Sequence, residues 1–119
     1  MRHGDKLNQM VEYRDKELDA VFAALAHPVR RGVLQGVGPG WARVTDLAAP
    51  FEISLAGVSK HIAVLEDAGL LRRVVHGREH HLTLLASPLL SADRWLDSCR
   101  RFWEPNLDRL EARLRGDGR

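Results

Sequence analysis

The chain has 119 residues, 45% of them hydrophobic and 29% charged, with a formal net charge of +2 and one cysteine. That length makes a single domain, and a lone cysteine rules out an internal disulfide framework and fits a reducing compartment. No apolar run approaches the ~20 residues that a helix needs to cross a bilayer. So small a net charge does not by itself select nucleic acid as a partner, so where the charges sit matters more than their sum.

The polar opening Met1-Arg2-His3-Gly4-Asp5-Lys6 reads as no targeting segment and predicts a cytoplasmic protein, with residues 1–15 as an N-terminal arm. Leu18, Val21, Phe22 and Leu25 then recur at helical spacing and stop before Pro28. Proline opens the next helix where its missing amide costs nothing. Gly36-Val37-Gly38-Pro39-Gly40 reads as a loop between helices, anchored by Trp41. Thr45 to Ala49 predicts a short helix that begins with capping types and carries Asp46 in its first turn. Pro50 ends it, because the residue before a proline is pushed out of the α region, and Phe51, Glu52 and Ile53 form a turn.

The run that begins at Ser54 reads as one helix with two different faces. Ser54 is the expected N-cap and Gly69 the left-handed residue that closes the helix before Leu70-Leu71. Val58, Ile62 and Leu65 form a buried stripe, while Leu55, Ala56, Ser59, Lys60 and Ala63 turn outward. That outward face is small, lightly polar and basic, the kind that lies flat in a major groove. Strand signals follow at once, Leu71 to Val75 and Arg78 to Leu84, around a tight turn at His76-Gly77 in which Gly77 supplies a positive φ. A short helix, a turn, a second helix and a basic-tipped hairpin make a winged helix-turn-helix: mainly α with a small β-hairpin wing.

The last helix carries Leu89, Leu90, Trp95, Leu96, Cys99, Phe102, Trp103, Leu107, Leu110 and Leu114, a stripe too long and too apolar for a free surface helix. It predicts a partner, with a helix folded back on its own core as the alternative. Pro105 lies within it and is expected to kink or break it. The winged domain is read as residues 16–115, with 116–119 as a tail.

Ala24-Leu25-Ala26-His27-Pro28-Val29-Arg30-Arg31, Val44 to Ala48, Ser54 to Ile62, Leu65 to Leu70 and Gly77-Arg78 agree in order and spacing with one known family. The chain resembles the ArsR-type, arsenic-repressor-like, winged-helix regulators of prokaryotes over roughly residues 18 to 114. Its close, Arg101-Phe102-Trp103-Glu104 with Leu107 to Glu111, resembles the branch that lacks the usual metal sites. The resemblance implies a homodimeric repressor, cytoplasmic and nucleoid-associated, that binds double-stranded DNA near its own promoter. It also implies that the first and last helices of two protomers pack together, through Leu18, Val21, Phe22, Leu25, Trp95, Leu96, Cys99, Phe102, Trp103, Leu107 and Leu110. Two recognition helices related by a two-fold axis then read a pseudo-palindrome whose half-sites lie ~10 base pairs apart.

Carried over residue by residue, Ser59 and Lys60 contact bases or phosphates, and Leu55, Ala56 and Ala63 meet thymine methyls. Arg78, with Gly77 allowing a close approach, reaches a minor groove or its phosphates. Thr45, Ser54 and His61 complete the candidate DNA-binding set, with His61 between the two faces and read as packed or phosphate-bonded; Arg30 and Arg31 either hold the DNA backbone or form a solvated charged face.

Relatives that sense metals carry a cysteine pair on the first helix of the turn motif, or Asp/His pairs on the last helix. Neither set stands at Val44–Ala48 or at Ser91–Asp97, so no metal or other cofactor is expected and the effector is left open. His80 and His81 are neighbours on a strand and point to opposite faces, His76 lies at the turn, and His3 lies in the arm. Cys99, one turn from Trp95 and Trp103, reads as a buried inert thiol, with redox sensing as a lesser alternative. An enzyme is not expected: Ser59 and His61, two apart on a helix, point to different sides, and no phosphate loop, HExxH or CxxC occurs. The remaining alternatives are a winged helix used only for protein contacts, and a metal- or redox-responsive repressor with a non-standard site.

Overall fold

The computed structural model describes residues 16–117. Helix α1 covers 16–25 of these, followed by α2 (Pro28–Val37), β1 (Trp41–Arg43), α3 (Val44–Ala48), α4 (Leu55–Asp67), β2 (Leu71–His76), β3 (Glu79–Leu84) and α5 (Ala86–Asp117). The strands form one antiparallel sheet in the order β1-β3-β2. This is the winged helix-turn-helix class, with a third strand that was not expected. The arm at 1–15, and His3 with it, lies outside the described residues.

Pro28 takes the first position of α2, and the cap before it is a histidine: His27 Nδ1 accepts from the Val29 N–H at 3.1 Å. Helix α2 then runs through the buried Val37, so the loop expected from Gly36 begins only at Gly38, where φ is +62°. Gly36 serves close packing instead of breaking the helix, since a Cβ there would come within 2.8 Å of Leu47 Cδ2. Trp41 is no loop anchor. It opens β1 and pairs with Thr83, while Arg43 pairs with His81. Helix α3 starts at Val44 with no side-chain cap, so Thr45 lies inside its first turn and is exposed, not a cap.

The wing turns on Gly77 and Arg78, one residue later than expected, because His76 still pairs with Glu79. Gly77 has φ +62° and Arg78 a negative φ, the pattern of a two-residue type II′ hairpin. His76 is therefore the last residue of β2 and not part of the turn.

Val58, Ile62 and Leu65 are completely buried, as their spacing predicts, and meet Val33, Leu47, Leu70 and Leu82 in one core. Val21 and Ala24 carry α1 into that same core. Ile62→Ala is expected to cost about 2–5 kcal/mol, while Ala63→Ser on the outer face stays within about 0.5 kcal/mol. Urea unfolding reads both, and a larger loss for Ala63→Ser would mean that the two faces are exchanged.

Helix α5 begins on the core through Leu89 and Ala92 and then leaves it: every residue from Arg100 to Gly116 is exposed. The fold-back alternative is thereby corrected. The radius of gyration is 19.4 Å, against about 13 Å for a compact domain of this size. Helix α5 also runs through Pro105 without a break. Proline removes one hydrogen-bond donor there, and the 32-residue helix continues on both sides.

Candidate nucleic-acid interface

Both ends of α4 are fixed by local chemistry. Ser54 Oγ accepts from the Gly57 N–H at 3.0 Å. At the other end Gly69, with φ +75°, donates to Glu66 O while Leu70 donates to Leu65 O, both at 2.9 Å. These two bonds are a Schellman closure, and they turn the chain straight into β2.

At ~100° per residue, Leu55, Ser59, Ala63, Ala56 and Lys60 fall within an arc of about 140°, clear of the stripe of Leu65, Val58 and Ile62. Leu55, Ala56, Lys60 and Ala63 are exposed and Ser59 is half-buried, so the structure brings the five expected residues onto one outward face. Thr45 is exposed at the start of α3, and Arg78 is exposed at the tip of the wing.

Several of the cations near these elements are occupied within the protein. Arg30 Nε and Nη2 donate to the carbonyls of Ala24 and Ala23, and Arg31 Nη1 donates to that of Leu25. Both arginines therefore close the C-terminal end of α1, where orphan carbonyls need donors, and neither forms a merely solvated face. Arg73 grips Glu66 with Nε at 3.4 Å and Nη2 at 2.8 Å, and its Nη1 lies 3.0 Å from His80 Nδ1. This cluster ties the last turn of α4 to both strands of the wing. Arg43 pairs with Glu79 at 3.6 Å. The hydrogen bond from His81, and then the charge of Arg43, hold the Glu79 carboxyl below its ordinary value. Among the described residues Lys60, Arg72 and Arg78 make no ion pair.

His61 lies on the flank of α4, half-buried, with its ring 4.2 Å from that of His27 and its Nδ1 3.2 Å from Arg30 Nη1. Burial, and then the charges of His27 and Arg30, lower its pKa from the usual 6.5. His80 and His81 occupy opposite faces as expected: His80 faces Arg73, and His81 stacks on Trp41 at 4.0 Å with the rings 12° from parallel. Among the described residues no group of three or more His, Cys, Asp or Glu side chains is arranged to hold a metal ion.

The expected dimer residues divide. Val21 is 2% exposed and belongs to its own protomer's core, which removes it from any intermolecular contact. Leu18, Phe22 and Leu25 are partly buried against the same core, and Phe22 meets Trp95 edge-on at 5.6 Å. Leu96, Phe102, Trp103, Leu107 and Leu110 are all at least half exposed, Phe102 at 74%. Cys99 is a free thiol of intermediate exposure, less buried than expected.

The helix-turn-helix domain family model matches residues 25–74, from the end of α1 to the middle of β2. Among curated proteins none matches significantly. Among solved structures, an ArsR family transcriptional regulator is 37% identical over 76% of this chain and 93% of its own, with a TM-score of 0.71. The chain belongs to the ArsR family of transcriptional regulators. A possible transcriptional regulator for arsenical resistance is 36% identical over 76% of this chain and 91% of its own, with a TM-score of 0.63. An ArsR-like regulator from Rhodococcus sp. RHA1 is 29% identical over 82% and 92%, with a TM-score of 0.65. As an ArsR-family protein with this helix-turn-helix, the chain is a DNA-binding transcriptional regulator and not an enzyme. Among the described residues no helix is long and apolar enough to cross a membrane.

Proposed function

We propose that this ArsR-family regulator is a homodimeric repressor that acts in the cytoplasm, at the nucleoid, on a pseudo-palindromic operator near its own promoter. The observation that carries the reading is one outward arc along Leu55 to Ala63 of α4, on which Ser59 and Lys60 are the only polar side chains, together with a wing tip whose arginine makes no ion pair among the described residues. In the major groove Ser59 and Lys60 reach base edges or phosphates, and Leu55, Ala56 and Ala63 lie against thymine methyls. Ser54, exposed at the start of α4, Thr45, exposed at the start of α3, and the Nε2 side of His61 complete the phosphate contacts. Gly77 brings the wing backbone close to the duplex, and Arg78 enters the neighbouring minor groove or meets its phosphates.

The apolar stripe of α5 supports the dimer. The winged helix-turn-helix domain of a possible ArsR-family regulator from Mycobacterium bovis, 19% identical, is described as homodimeric. In this chain the seam runs along Leu96, Phe102, Trp103, Leu107 and Leu110, with Leu18, Phe22, Leu25, Trp95 and Cys99 at its border.

Fluorescence anisotropy on the duplex upstream of its own gene, against a scrambled duplex and across a salt series, tests the reading. A saturable preference for the native duplex is expected, and equal binding to both removes the autoregulatory repressor. In the same assay Arg78→Ala weakens binding to both duplexes and flattens the salt slope by about one unit. An unchanged slope takes the wing out of the interface.

A further inference from the structure

One guanidinium connects three elements. Arg30 stands in the first turn of α2, and its side chain reaches back to the end of α1, with Nε 2.7 Å from Ala24 O and Nη2 3.0 Å from Ala23 O. Its remaining nitrogen, Nη1, meets His61 Nδ1 on the flank of α4 at 3.2 Å. A guanidinium only donates, so His61 Nδ1 is the acceptor and the neutral ring carries its proton on Nε2. The same holds for His27, whose Nδ1 accepts from the Val29 N–H. His61 is the residue directly after Lys60 and directly before the buried Ile62, so a contact that fixes it also fixes the rotation of α4 about its own axis.

We propose that Arg30 is a positioning residue for DNA reading, fastening the groove-facing helix to the end of α1 through His61 and holding that histidine as the Nε2–H tautomer. The inference rests on the reading of α4 as the groove-facing helix. It departs from the sequence expectation that Arg30 touches DNA: with its three nitrogens engaged inside the protein, Arg30 acts on the duplex only through His61.

The contact is sensitive to acid. Protonating His61 places a hydrogen on Nδ1 facing Arg30 Nη1 and adds a charge beside His27 and Arg30, the groups that act on it from the α1–α2 side; Lys60 is its cationic neighbour on α4. The folded protein favours neutral His61, so it binds fewer protons than the unfolded chain. The stabilisation it gives is fully present above the usual value of 6.5 and is lost as pH falls through the lowered pKa of His61 in the folded protein.

Long-range 1H–15N spectra of the free protein near neutral pH are expected to show His61 Nδ1 unprotonated and Nε2 protonated, a preference lost in Arg30→Gln. A proton on Nδ1 overturns the inference whether or not the protein binds DNA. For affinity, the probe is a duplex of about 30 base pairs that the protein selects from a randomised pool. Arg30→Gln weakens binding about tenfold with an unchanged salt slope, and adds nothing in a His61→Phe background. A slope lower by about one unit makes Arg30 a phosphate contact, and additive losses make it independent of His61; either overturns the proposal. Should Arg30→Gln fail to fold, His61→Asn decides. Asparagine keeps an acceptor near the Nδ1 position and does not titrate, so it recovers the part of the affinity that His61→Phe loses through Arg30, though not the Nε2 contact, and removes the fall in binding in acid. No recovery, or an unchanged pH profile, counts against the proposal. If the wild type selects no duplex, the proposed function fails, and the tautomer spectra alone then decide the inference.

Discussion

Replacing Ser59 and Lys60 together with alanine is expected to lower affinity for the selected operator about 100-fold or more while the protein stays folded and dimeric. Each direct contact to a base edge is worth ~1–3 kcal/mol of discrimination, and these two side chains are the only polar ones among the five on the outward arc of α4. Neither belongs to the buried stripe, so alanine removes the contact without opening a cavity. Non-specific binding falls much less, because Arg78 and Arg72 keep their attraction for the backbone. Circular dichroism and sedimentation accompany the binding assay. Loss of the dimer in this variant would mean that the reading face and the dimer face had been assigned to the wrong helices.

The second large effect is expected at the other end of the chain. Leu110 stands midway along the exposed part of α5, with Trp103 and Leu107 before it and Leu114 after it, all half exposed or more. Leu110→Asp places a carboxylate in that stripe, where an unpaired buried charge costs several kcal/mol. Sedimentation equilibrium should find a dimer for the wild type and monomers for the variant, with a dimer dissociation constant raised about 100-fold or more. Operator affinity falls with it, because one protomer holds only one half-site. A wild-type monomer, or a variant as dimeric as the wild type, would leave the stripe of α5 without its proposed partner.

The sequence made α4 legible because three signals agreed there: a capping serine, a stripe of Val58, Ile62 and Leu65, and a closing Gly69. Each is visible as a residue type at a fixed spacing. The third strand was not legible for the opposite reason. Trp41–Arg43 is three residues long, too short to establish an alternation, and it exists because β3 offers an edge that only the tertiary fold brings near. Gly36 misled in a similar way. Glycine usually marks a loop, but here it makes room for Leu47 against α2. Val21 had the spacing of a dimer residue, yet spacing gives only a face and not what covers it; its own core does.

The arginines show the same limit for charge. Arg30, Arg31, Arg43, Arg73, Lys60, Arg72 and Arg78 all stand in or beside the DNA-facing elements. The fold spends four of them internally, on the carbonyls of α1, on Glu79, and on Glu66 with His80. Those partners are distant in sequence or are backbone atoms, so no pattern of residue types announces them. The cap at His27 was missed because histidine is an uncommon capping type.

The most direct measurement is selection of bound duplexes from a randomised pool by the purified protein, followed by sequencing. The expected product is an inverted repeat whose half-site centres lie about 10 base pairs apart, bound by two protomers. A single asymmetric half-site bound by one protomer, or no enriched sequence at all, would contradict a two-fold dimer that reads DNA through α4.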